Sequence, residues 1–139
     1  MNKLIASVAA AVSLLTAGAA FASGAALPLD TWPTAKANDR AALQNGARLF
    51  ANYCLNCHSA NSMRWNRLVD IGLTEAEIKD FLIFGNQKVG DLMTTAMKPK
   101  DSQAWLGKTP PDLSVITRSR TSFDYKGTDY IYTLFRSYY

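Results

Sequence analysis

The sequence predicts an all-α fold in one small domain, and three observations carry that expectation. Apolar residues recur at helical spacing in several separate stretches, giving each stretch one face to bury. Polar residues able to cap a helix stand before the longer stretches, and glycine or proline follows several of them. No run of alternating apolar and polar residues marks a half-buried strand.

Taken in order, residues 1–22 read as a secretory signal. Lys3 supplies a short positive region, Leu4 to Ala17 an apolar run, and Ala20-Phe21-Ala22 a cleavage site before Ser23. That run is short and Ala-rich for a helix that spans a bilayer. Residues 23–37, with Pro28 and Pro33, form an extended lead-in, and residues 38–139 form the domain. Asn38 or Asp39 caps a first helix running to about Tyr53, with Leu43, Ala47 and Phe50 on one stripe and Leu49 widening it. Gly46 inside that helix costs roughly 1 kcal/mol relative to alanine, so it marks either a close helix crossing or a tolerated glycine. Ser59 to Asp70 reads as loop or irregular turns. Thr74 with Glu77 makes a capping box that opens a second helix, closed by Gly85, with Ile78, Phe81 and Leu82 on one side. Gly90-Asp91 opens a short helix through Met97, which Pro99 ends. Pro110-Pro111-Asp112 precedes another, from Leu113 and Ile116 to about Arg120. Thr121 to Gly127 is loop, and Thr128 or Asp129 caps a final aromatic helix with Tyr130, Ile131, Leu134, Phe135 and Tyr138.

The chemistry is concentrated in Cys54-Leu55-Asn56-Cys57-His58. Two cysteines two residues apart with a histidine next is the attachment pattern of c-type haem. On one helical turn the two thiols face the two vinyl groups on one edge of the macrocycle and form thioethers with them. The adjacent imidazole is then carried under the iron as proximal ligand. Cys54 and Cys57 are the only cysteines and His58 the only histidine, so these assignments have no rivals within the chain. A zinc site would lack its remaining ligands. A thioredoxin-like dithiol belongs near a βαβ pattern, which the surrounding residues do not have. A disulfide between the two would close too short a loop to add much stability. One haem c therefore fills much of the core of the helical domain.

Export agrees with this reading, because thioether attachment in bacteria takes place outside the cytoplasm. The formal charge of +4 falls by one when Lys3 leaves with the signal. An excess so mild, with no basic run interleaved with aromatics, argues against nucleic acid as a partner.

Several stretches together resemble the cytochrome c1 family in its proteobacterial form. They are Asn45-Gly46-Ala47-Arg48-Leu49-Phe50, the run Asn52 to Ala60 around the cysteines, Met63-Arg64-Trp65-Asn66-Arg67-Leu68, and Gly90-Asp91-Leu92-Met93 with Lys100-Asp101. The most specific is Pro110-Pro111-Asp112-Leu113-Ser114, with Arg118-Ser119-Arg120 behind it and Asp129-Tyr130-Ile131-Tyr132 after. The resemblance covers about Asp39 to Tyr139 and implies a small cytochrome c-like domain wrapped around one covalent haem. It also implies that Pro110 or Pro111 lies against the haem on the histidine side, and that a backbone carbonyl of that loop accepts the His58 Nδ1–H. Arg120 would face a haem propionate.

The function implied is electron transfer as the haem subunit of ubiquinol–cytochrome c reductase, beside cytochrome b. An electron would come from a Rieske iron–sulfur protein and go to a soluble cytochrome c, on the periplasmic side of the bacterial inner membrane. No side chain makes or breaks bonds. In the family the sixth iron ligand is a methionine that comes after the Asp-Tyr-Ile-Tyr helix, followed by a C-terminal membrane anchor. The sequence stops at Tyr139, which predicts a C-terminally incomplete member. Met97, before Lys98-Pro99, superficially resembles the Met-Pro ligand loop of small soluble cytochromes c. Two alternatives therefore stand: a free soluble periplasmic cytochrome using Met97, and a five-coordinate haem c that binds a small ligand.

Overall fold

The computed structural model describes residues 28–138, so the signal expected over residues 1–22 lies outside the described residues. The lead-in is not extended throughout: Thr34–Asn38 winds into a 3-10 turn after Pro33. Before that turn it meets the C-terminal segment. There the Asp30 N–H donates to Thr133 Oγ1 at 2.8 Å and the Trp32 N–H to Asp129 Oδ1 at 2.9 Å.

Helix α1, Arg40–Leu49, starts where the Asp39 carboxylate accepts the Ala42 N–H. It continues as one wider π turn, Phe50–Cys54, closed by the Leu55 N–H on the Phe50 carbonyl at 2.9 Å. Such wide turns favour functional sites, and this one delivers the chain into the Cys-x-x-Cys-His segment. Gly46 does not mark a close crossing, since a Cβ placed there meets nothing within 4 Å.

The segment expected as loop contains strand β1, Ala60–Arg64, and a 3-10 turn, Trp65–Ile71. Strand β1 pairs antiparallel with β2, Leu92–Met93, matching Ala60 with Met93 and Arg64 with Leu92 across an irregular register. Only Ala60 of β1 is buried, so the period-2 pattern that would have revealed the strand is missing. The helix expected from Gly90 through Met97 is absent, because β2 occupies that segment.

Helix α2, Glu75–Phe81, carries the expected capping box between Thr74 and Glu77. Its inner face is Ile78 and, just past its end, Leu82; Phe81 is 68% exposed, against expectation. Pro99 begins a helix instead of ending one. Helix α3, Pro99–Leu106, has this proline in its first turn, where a missing N–H costs nothing, and stops at Gly107 with φ 73°. Helix α4, Ile116–Ser119, is a single turn, and α5, Gly127–Arg136, begins one residue before the expected caps.

The chain's own buried core is small. Trp65 and Ile78 are fully enclosed, joined by Ala51, Ala60, Leu68, Leu82 and Met93, and Phe50 and Leu55 pack against the cluster. It lies between the end of α1, the Trp65–Ile71 turn, α2 and β2. Helices α4 and α5 pack on each other, and their apolar residues Ile116, Tyr130, Ile131 and Leu134 are only half-buried. The two short strands leave the expected all-α class intact.

Candidate functional site

Cys54, Cys57 and His58 sit on one tight turn, in which the Cys57 and His58 N–H groups both donate to the Cys54 carbonyl, at 3.1 and 2.8 Å. Both cysteines are free and half-buried. Burial pushes the Cys54 thiol above its ordinary range, the opposite of what activates a nucleophilic or redox-active cysteine. Among the described residues no three His, Cys, Asp or Glu side chains cluster as metal ligands would.

The turn is clamped by the Pro110–Ser114 loop. His58 Nδ1 lies 2.8 Å from the Pro111 carbonyl oxygen. A carbonyl can only accept, so Nδ1 carries the proton, and Nε2 of the neutral ring keeps the lone pair a metal needs. The remaining bonds run alongside. The Leu113 N–H donates to the Ser59 carbonyl at 2.8 Å, the Asn61 N–H to Asp112 Oδ2 at 2.7 Å, and the Ser62 N–H to Ser114 Oγ at 2.9 Å. Asp112 Oδ1 also accepts the N–H of Ser114 at 2.9 Å, which stiffens the loop itself. Partial burial raises the Asp112 carboxyl, but the hydrogen bonds from Asn61 and Ser114 outweigh it and hold the group below its usual range. Each polar residue of the motif thus has a partner on the histidine segment.

A second support had no signal in the sequence. Thr95 Oγ1 donates to the Asn56 carbonyl at 2.8 Å, and the Thr95 N–H donates to Ser59 Oγ at 2.9 Å, so the stretch after β2 braces the same turn. Trp65, enclosed in the core, donates its indole N–H to Gln87 Oε1 at 2.9 Å, and Gln87 in turn donates to Thr94.

The other expected residues fall as follows. Pro110 is half-buried and lines a cavity of about 350 Å³ together with Cys57, Met97 and Asp112. Met97 is half-buried there, on the side of the loop that holds His58. Arg120 is exposed at the end of α4, its guanidinium 5.8 Å from the centre of the Tyr130 ring, and Tyr130 stacks on Tyr125.

The residues present fit a haem. Two thiols lie one turn apart, and in the imidazole beside them Nδ1 is engaged by the Pro111 carbonyl, which leaves Nε2 to bind iron. Fold and site together define a small haem-carrying domain of the c-type cytochrome class.

The comparisons narrow that class. The model of the cytochrome C1 family matches residues 32–139, and the chain belongs to this family. A cytochrome c1 from Allochromatium vinosum is 41% identical over 140 residues, covering 100% of this chain and 53% of the relative. A protein named ammonia monooxygenase gamma subunit, from Nitrosomonas europaea, is 47% identical over 126 residues, covering 91% of this chain and 51% of the relative. The cytochrome c1 of Rhodospirillum rubrum is 29% identical over 117 residues, 72% of this chain and 42% of that protein. The chain thus spans about half the length of these first two relatives. Family membership implies haem as the cofactor. Among the described residues no helix is long and apolar enough to cross a membrane.

Proposed function

We propose that this chain carries one haem c, held by thioethers to Cys54 and Cys57 with His58 Nε2 on the iron, and that it transfers electrons as a cytochrome c1 subunit of ubiquinol–cytochrome c reductase. The observation that carries the reading is the 2.8 Å contact from His58 Nδ1 to the Pro111 carbonyl, made by the family's most specific motif. When bound, the haem supplies a reversible one-electron couple. The chain's own residues hold and tune it. The Pro111 carbonyl fixes the imidazole tautomer and makes His58 a stronger donor. Asp112 and Ser114 keep that carbonyl in place. Arg120 offers a cation to the propionates, and the Tyr130 ring beneath its guanidinium restrains it.

In the complex, the partners of this reading are cytochrome b, a Rieske iron–sulfur protein as donor and a soluble cytochrome c as acceptor. The site would lie on the periplasmic side of the inner membrane, after export and loss of residues 1–22. The relative named as an ammonia monooxygenase gamma subunit supports a second reading of the assembly, with the same haem domain serving a different complex. Affinity purification from membranes separates the two, since only the first reading recovers cytochrome b and a Rieske protein.

The haem assignment has its own test. Acid–acetone extraction should leave the colour on the wild-type polypeptide, and Cys57→Ala should weaken or abolish its retention. Colour that extracts fully from wild type would refute covalent attachment. Met97→Leu should leave the visible spectrum unchanged, because Met97 shares a cavity with Pro110 and Asp112, beside the loop that holds His58. Loss of a methionine-ligated spectrum in that variant would instead favour the free soluble cytochrome.

A further inference from the structure

Charge is unevenly spread along the chain. Residues 28–95 are balanced, with seven basic side chains against seven acidic ones, whereas residues 96–138 carry seven against four. Three of those seven lie close together on one short structure. Lys98 stands at the N-terminal boundary of α3, Lys100 lies in its first turn, and Lys108 follows the glycine that ends it. The two ends of this element are drawn together. Ser102, 1% exposed, donates from Oγ to the Pro99 carbonyl at 2.9 Å and lies 3.3 Å from Thr109 Oγ1. Thr109, the neighbour of Lys108, is thereby held beside Pro99, between Lys98 and Lys100.

Pro99, Ser102 and Thr109 line the same cavity as Cys57, so the lysines flank an attachment cysteine of the haem. All three are exposed, and none is in an ion pair among the described residues. Asp101 is the one acidic residue on α3, and the Asp112 carboxylate across the cavity is engaged by the Asn61 and Ser114 N–H groups. The same helix exposes Trp105 to 70% and Leu106 to 53%. A large aromatic beside a charged rim is the composition of a protein-docking face rather than of a solvated one.

We propose that Lys98, Lys100 and Lys108, with Trp105, form the docking surface for an acidic electron-transfer protein at the Cys57 edge of the haem. This rests on the electron-carrier reading above and adds the sign of the partner's charge. Three unpaired cations beside Cys57 raise the local concentration of an acidic partner, and such steering changes association rates by about 10–10³-fold at low salt.

The test uses the haem-loaded chain and two probe proteins, an acidic plastocyanin and a basic mitochondrial-type cytochrome c. Second-order electron-transfer rates are measured by stopped flow at low and high ionic strength, with driving force corrected from measured potentials. Wild type should react faster with plastocyanin at low salt and slow as salt is added. The K98E/K100E/K108E variant should lose about tenfold or more with plastocyanin at low salt, gain with the basic probe, and reverse both salt dependences. Charge swaps on an exposed helix leave the core alone, and an unchanged haem spectrum checks this. Rates that do not move with the swap, or that fall equally with both probes, overturn the docking surface and leave the electron carrier standing. A wild type that exchanges electrons with neither probe overturns both.

Discussion

Gly127→Ala sets helix propensity against a close approach, and the structure decides which wins. Gly127 opens α5, and its N–H donates to Thr121 Oγ1 at 3.0 Å. Exchanging glycine for alanine in a helix ordinarily gains about 0.5–1 kcal/mol. Here a Cβ would lie 1.7 Å from the Thr117 carbonyl oxygen and 2.8 Å from both the Thr117 carbon and the Thr121 nitrogen. Real Cβ contacts essentially never fall below 3.0 Å, so α5 must back away from α4. The obstacle is backbone, which no side-chain rotation relieves. Overpacking of this kind costs roughly 1–3 kcal/mol or more, and losing the Thr121 hydrogen bond adds about 1 kcal/mol. Set against the propensity gain, the net is a loss of about 1–3.5 kcal/mol, or roughly 4–25 °C in Tm for a domain of this size. Guanidinium unfolding of the haem-loaded protein measures it. Gly46→Ala is the control: Gly46 is exposed in α1 with nothing within 4 Å of its Cβ position, so it should gain about 0.5–1 kcal/mol. A Gly127→Ala variant as stable as wild type would refute the packing argument.

Asp112→Ala removes the acceptor for two backbone N–H groups, at a cost of about 1–2 kcal/mol once its exposure is allowed for. Because the folded carboxyl is held below its ordinary value of 3.8, this stability is fully present above that pH and is lost as pH falls below it. Melting curves of wild type and variant should therefore differ at pH 7 and converge in strong acid; a difference that persists there would contradict the assignment. Ile78→Ala, at a position with 0% exposure, should cost roughly 2–5 kcal/mol while leaving haem covalently attached. Detached haem in that variant would show that the small core and the haem site are not separable. Arg120→Leu removes a cation near the proposed propionates and should lower the reduction potential by roughly 20–60 mV, read by redox titration. An unchanged potential would place Arg120 on the solvated face.

Local chemistry was legible in the chain, and so was whatever depends on near neighbours. Asp39 and the Thr74–Glu77 pair announce helix starts because a cap and the N–H groups it serves are at most three residues apart. Cys54, Cys57 and His58 could be read as one unit because a single turn suffices to bring them together. Pro99 misled because proline is compatible with both a helix stop and a helix start, and only the chain beyond it decides. Strand β1 escaped because one buried residue in five leaves no periodicity to read.

By itself, the sequence determined the Cys-x-x-Cys-His turn, the helical class and the family motif, all of them patterns short enough to be written along the chain. Tertiary structure alone decided which atoms support that turn. Pro111 reaches His58 across 53 positions, Asp112 reaches Asn61 across 51, and Thr95 reaches Asn56 across 39. It also decided that a Cβ at Gly127 meets backbone while one at Gly46 meets nothing within 4 Å. Contacts at such separations leave no trace in local periodicity, because the bond depends on where two distant segments meet rather than on what either one is.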